Sequence, residues 1–119
     1  MSEKNKEVLV RANAAVAAGD IEGFLSHCTD DVRWTFVGDQ ILRGKEAVRR
    51  YMEATYTEPP RFGVDQLIAE GDFVTALGHI TLRDRNGRDV GYAYCDVWRL
   101  RDGKLADLRA YVVETKRTG

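Results

Sequence analysis

Long apolar runs are missing from this chain, and with them any stretch able to cross a bilayer as a helix. The opening residues, Met-Ser-Glu-Lys-Asn-Lys-Glu, contain no apolar signal core, so the sequence predicts a protein that stays in the cytoplasm and off membranes. Cysteine is scarce. Cys28 and Cys95 are the only two, far apart and without metal-ligand spacing, which predicts reduced thiols and no metal site. Charge of one sign is not in excess either: 18 basic residues face 19 acidic ones for a net of -1, and no nucleic-acid partner is expected. The locally basic run from Arg83 to Asp89 is laced with acids and reads as a solvated hairpin tip. Neither a Gly-rich phosphate loop nor a Gly-x-Ser-x-Gly elbow occurs, and no cofactor is expected.

What remains is an ordinary globular mixture, 44% hydrophobic and 31% charged, long enough for one core and so expected to form one domain over residues 1–119. Apolar residues at three-to-four spacing predict a helix from Glu3 to Ala18, ended by Gly19. Asp20 is placed to cap a short second helix from Ile21 to about His27. Val32 to Val37 alternates as a strand and breaks at Gly38-Asp39. A third helix is predicted from Lys45 to about Tyr56, stopped by Glu58-Pro59-Pro60. Everything after it reads as β: Phe62 to Glu70, Phe73 to Arg83, Gly91 to Leu100 and Leu105 to Val113, with turns at Gly71-Asp72, Asn86-Gly87 and Asp102-Gly103. This order predicts an α+β fold in which a curved antiparallel sheet carries three helices on its concave side and encloses a pocket.

The strand Gly91–Leu100 organises the chain. Alternation puts Tyr92, Tyr94, Asp96, Trp98 and Leu100 on one side, a single carboxylate in a row of rings. Such a carboxylate pairs with a cation, accepts hydrogen bonds, or has its pKa raised until it keeps its proton near neutrality. A neutral acid in an apolar pocket is a hydrogen-bond donor for a carbonyl or enolate. Trp34, Phe36, Tyr51, Tyr92, Tyr94 and Trp98 are expected to line or fill the cavity. Their polar atoms need partners, and a Tyr51 or Tyr94 hydroxyl donating to Asp96 would hold it ionised. On the last strand Leu108, Ala110 and Val112 suit the cavity side, leaving Arg109 and Tyr111 for the convex face. Asp39, after the first strand, reads as a turn residue or as a base over the cavity mouth, and His27 as complementing a helix C-terminus.

Four segments together, Ala18 to Leu25, Thr29 to Val32, Leu42 to Val48 and Cys95 to Leu105, resemble the nuclear transport factor 2-like (NTF2-like) superfamily. Within it the chain looks most like the ketosteroid isomerases and the polyketide-cyclase-like group called SnoaL-like, over nearly its whole length. That resemblance implies a cone-shaped sheet around a pocket, and it implies cofactor-independent acid–base chemistry, as in an isomerase, cyclase or related lyase, on an apolar carbonyl-bearing substrate. The alternative it leaves is a non-catalytic binder of a hydrophobic small molecule, since this superfold hosts both. Asp96 falls where the isomerases keep a neutral, oxyanion-binding aspartic acid. Their general base falls on Thr35 or Phe36 and their oxyanion-hole Tyr on Ala12, so the isomerase set is incomplete. The epoxide hydrolase subgroup shares Tyr94-x-Asp96 but needs an Arg-x-Asp where this chain reads Leu77-Gly78-His79. His79 falls at a pocket-lining position and, on the strand next to Asp96, is expected either to act with it as a base or to be an ordinary hydrogen-bonded core histidine. The family commonly dimerises through the convex face, so a homodimer is expected.

Overall fold

The structure, a computed structural model, describes residues 2–115. Three helices, α1 (Ser2–Ala17), α2 (Ile21–Leu25) and α3 (Lys45–Thr55), accompany six strands. These are β1 (Cys28–Phe36), β2 (Gln40–Arg43), β3 (Arg61–Glu70), β4 (Phe73–Arg83), β5 (Asp89–Arg101) and β6 (Lys104–Glu114). The strands form one curved, unclosed sheet in the order β2-β1-β6-β5-β4-β3. All pairings are antiparallel except β1 with β6, which run parallel. No described helix is long and apolar enough to cross a membrane.

Local chemistry sets the element ends. Gly19, at φ +76, closes α1 by donating to the Val16 carbonyl, a conformation that costs glycine little. The Asp20 carboxylate then accepts from the Gly23 N–H at 2.9 Å and caps α2. The β5–β6 turn carries Asp102 at φ 52 and Gly103 at φ 76, the positive dihedrals that a two-residue Asp-Gly hairpin requires.

Two boundaries differ from the sequence reading. α2 stops at Leu25, and β1 begins four residues before Val32, because the His27 carbonyl accepts from Leu105 N–H and draws this segment beside β6. An irregularity between Cys28 and Arg33 then absorbs the extra residues before regular pairing resumes at Arg33↔Asp107. Gly38-Asp39 is a hairpin turn rather than a simple break, leading into β2, whose four residues bury little and so carry no alternation signal.

The concave face packs on the helices. Leu9 of α1, Phe24 and Leu25 of α2, and Val48 and Met52 of α3 meet Trp34, Val74, Trp98 and Leu105 from the sheet. Phe24 and Trp34 meet edge to face at 5.6 Å and Trp34 and Trp98 at 6.1 Å, so rings build the wall between α2 and β5.

Register decides which face each side chain takes. Ala76, Asp96 and Ala110 lie side by side on β4, β5 and β6, and so do Gly78, Tyr94 and Val112 one step along. Gly78 permits the Tyr94 ring to cross β4: a Cβ there would sit 2.6 Å from the Tyr94 hydroxyl and collide with the Gly63 carbonyl that this hydroxyl hydrogen-bonds. Gly78→Ala is therefore expected to destabilise the fold by about 1–3 kcal/mol through overpacking. Urea unfolding measures it; stability equal to wild type would contradict this packing.

Candidate active site

The cavity between helices and sheet holds about 380 Å³. β5 supplies Tyr92, Tyr94, Asp96 and Trp98, β1 supplies Trp34 and Phe36, α3 supplies Tyr51 and β6 supplies Val112. All seven aromatic and aliphatic residues read from the sequence as ligand-lining thus stand on its wall together with Asp96. The sequence reading missed Asn13 and Val16 of α1 and Phe62, Ile80 and Leu82 of β3 and β4, which also line it.

Asp96 sits between Ala76 and Ala110, the smallest side chains that still define the face. They leave room above the carboxyl and offer no donor. Burial alone pushes Asp96 up to about 7; no cation or hydrogen bond counters it. The two tyrosines that would have held it ionised are engaged elsewhere. Tyr94 donates to the Gly63 carbonyl at 3.0 Å, and the Tyr51 hydroxyl interacts with Thr55. Burial, with help from the Asp96 charge, raises Tyr94 to about 12. Burial first, then the neighbouring Tyr51 and Asp96, also pushes Tyr56 well above the ordinary phenol value. Tyr56, which the sequence reading took only as the end of α3, is therefore part of the electrostatic surroundings of the acid. The ring of Trp34 lines the cavity, while its indole N–H is buried with no acceptor among the described residues.

His79 is a correction. It pairs with Ala93, three residues from Asp96 along β5 and hence on the opposite face of the sheet. Its ring packs over Gly63, where a Cβ would lie 2.8 Å from Cε1, and Nδ1 stands 3.5 Å from Asp65 Oδ1. With its side chain 65% exposed on the convex side, His79 forms no dyad with Asp96 and is not a core histidine.

The remaining candidates are placed as follows. Asp39 is at once a turn residue, its N–H donating to the Phe36 carbonyl at 2.9 Å, and a residue of the cavity rim. His27 lies beyond α2, tied to Leu105 through its backbone and off the cavity wall. Thr35 pairs with Arg109 and faces outward, while Phe36 faces in. Ala12 is buried in the core. Among the described residues no group of three His, Cys, Asp or Glu side chains is arranged to hold a metal ion.

Comparison with known proteins agrees with this architecture. The SnoaL-like domain family matches residues 9–108. No curated protein matches the chain in sequence. Among solved structures, SalBIII, an epoxide hydrolase/cyclase-like enzyme of pyran ring formation in the polyether salinomycin, superposes with a TM-score of 0.85 at 23% identity, over 92% of this chain and 91% of that one. A ketosteroid isomerase-like protein from Kribbella flavida DSM 17836 superposes at 0.83 with 16% identity, over 99% and 84%. An NTF2-like protein of unknown function from Burkholderia pseudomallei K96243 superposes at 0.81 with 24% identity, over 93% and 91%. At these identities the likeness is one of fold.

The raised Asp96 pKa has a thermodynamic consequence. Unfolded, the carboxyl ionises near pH 4; folded, it does so near 7, so between these values only the native state holds the proton. The Asp96 contribution to stability is complete below about pH 4 and is lost as pH rises through about 7. Asp96→Asn has no such loss. It should equal wild type near pH 4 and exceed it at pH 8, by on the order of 4 kcal/mol at most. Urea midpoints across that range measure it; parallel curves for the two proteins would contradict the assignment.

Proposed function

The chain belongs to the SnoaL-like domain family, and on that premise we propose that it is a cofactor-independent acid–base enzyme acting on an apolar, carbonyl-bearing small molecule. The observation that carries the reading is Asp96: a carboxyl inside an aromatic cavity, between two alanines, with no donor or cation beside it among the described residues. Below its pKa of about 7 it is a neutral O–H donor. Placed against a substrate carbonyl it stabilises the negative charge that develops on oxygen when a neighbouring C–H proton leaves, and in a water-poor site that stabilisation is large. Asp39, the other carboxyl on the cavity wall, is the proposed acceptor of that proton. Proton removal and return at different carbons is isomerisation; attack of the enolate on a second carbonyl is cyclisation.

A second reading, a binder of hydrophobic small molecules without turnover, is favoured by one observation. Among the described residues the only second carboxyl of the cavity is at its rim, and His79 is outside.

One experiment separates the two. A panel of mono- to tricyclic ketones is incubated with the protein in D2O, binding followed by quenching of Trp34 and Trp98 fluorescence and exchange at the α-carbon by NMR. Catalysis predicts exchange above the buffer rate, reduced about 100-fold or more in Asp96→Asn and in Asp39→Asn. Quenching without exchange identifies a binder, and neither response contradicts both.

The convex face adds an expectation of assembly. Leu77, Cys95 and Tyr111 form one cross-strand row and Ala93 and Val113 the next, with Tyr111 43% and Val113 65% exposed. We propose that a second copy of the chain covers these rows. Light scattering should give twice the 13.4 kDa chain mass, reduced to one chain in Tyr111→Glu; a wild-type monomer at micromolar concentration would contradict it.

A further inference from the structure

We propose that the convex face also carries a phosphate-binding site, built from Arg33, Arg43, Arg99 and Arg101 at the end of the sheet away from Tyr111 and Val113. The site lies on the side opposite Asp96 and is independent of the reading of the cavity. Four arginines, two aspartates and Ala106 line a concavity of about 240 Å³.

Register explains how they meet. Arg43 of β2 is directly opposite Arg33 of β1, Arg33 is beside Asp107 of β6, and Asp107 is opposite Arg99 of β5, one row across four strands. At strand spacing the outer two backbones are about 14 Å apart, within reach of two long side chains converging over the middle of the row. Asp107 is taken by Arg33, Nε at 3.2 Å and Nη2 at 3.1 Å, and Asp31 by Arg101 at 2.7 Å. Among the described residues Arg43 and Arg99 have no carboxylate within 4.0 Å. The cluster therefore holds two cations in excess on a chain whose net charge is -1.

Like charges directly opposite each other on adjacent strands are destabilising, and Arg33 with Arg43 is such a pair. A dianion accepting from Arg43 and Arg99, above the Arg33–Asp107 pair that lies between them, relieves the repulsion on Arg43 and matches the excess charge. Guanidinium groups are the side chains suited to it, because their planar forks donate in pairs to tetrahedral phosphate oxygens. A confined concavity with alternating acids fits one phosphate group, not the extended basic stripe that a nucleic acid backbone needs.

The test is a titration of the full chain with inorganic phosphate, at ionic strength held constant with chloride, followed by backbone amide NMR. Adenosine monophosphate in a parallel arm distinguishes a phosphate carried on an organic molecule, which binds more tightly than the free ion, from free phosphate, which binds as well alone. The expected result is saturable shifts confined to residues around 33, 43, 99 and 107. Arg43→Gln and Arg99→Gln should each weaken binding about tenfold, as loss of a charge-assisted hydrogen bond does. Arg99→Lys should lie between, and Arg88→Gln in the β4–β5 turn should leave it unchanged. Shifts that do not saturate beyond those of chloride, or equal affinity in all variants, overturn the proposal. So does an altered light-scattering mass in Arg43→Gln or Arg99→Gln with an unchanged phosphate response, which would make the cluster a contact for a second copy.

Discussion

A carboxyl group held among rings with nothing to donate to it is the constraint around which this sheet is built. Asp96 could have been satisfied cheaply: a tyrosine hydroxyl, a histidine or an arginine on a neighbouring strand would hold it ionised at its ordinary value. Instead its neighbours are Ala76 and Ala110, and the tyrosine nearest in register, Tyr94, reaches across Gly78 to the Gly63 carbonyl. Glycine at 78 and carbonyl at 63 are thus part of what keeps the acid unpaired. An unpaired buried polar group costs stability, so a fold that retains one gives up stability at that point, as functional sites commonly do.

The two faces of the sheet follow from the alternation of β4, β5 and β6, with opposite electrostatic outcomes. On the concave side helices exclude water, rings replace it, and a single charge becomes expensive enough to stay neutral. On the convex side water and paired acids stabilise the arginines at one end, while apolar side chains are left open at the other. Tyr94 and Cys95, adjacent in sequence, belong to these different environments. A shift of one residue in the β4–β5 register would exchange them and move Asp96 into solvent.

Much of this was legible in the chain. The amphipathic spacing of Leu9, Ala12 and Val16, the cap at Asp20, the stop at Pro59-Pro60 and the Asp102-Gly103 turn each carry their own local physics, and those elements form where that physics puts them. What failed was of three kinds. The early start of β1 depends on a partner distant in sequence, Leu105, and β2, though joined to β1 by a local hairpin, has four residues with little burial that bear no periodic mark. His79 is different, because its face could have been counted. Pairing outward from the β4–β5 turn sets Arg83 against Asp89, then His79 against Ala93 and Ala76 against Asp96, three steps apart and so on opposite faces. Adjacency of strands does not make adjacency of side chains. Tyr56 escaped notice for another reason: it stands at a helix end, where no spacing encodes its packing against Tyr51 and the core.

The ionisation of this one carboxyl can be observed directly. Labelling aspartate side-chain carboxyl carbons with ¹³C, and assigning Asp96 by its loss in Asp96→Asn, gives its titration curve free of any substrate. A midpoint near 7 is the predicted result. A midpoint near the ordinary aspartate value of about 3.9 would mean that water or a donor reaches the group, and would contradict a cavity that keeps its acid neutral.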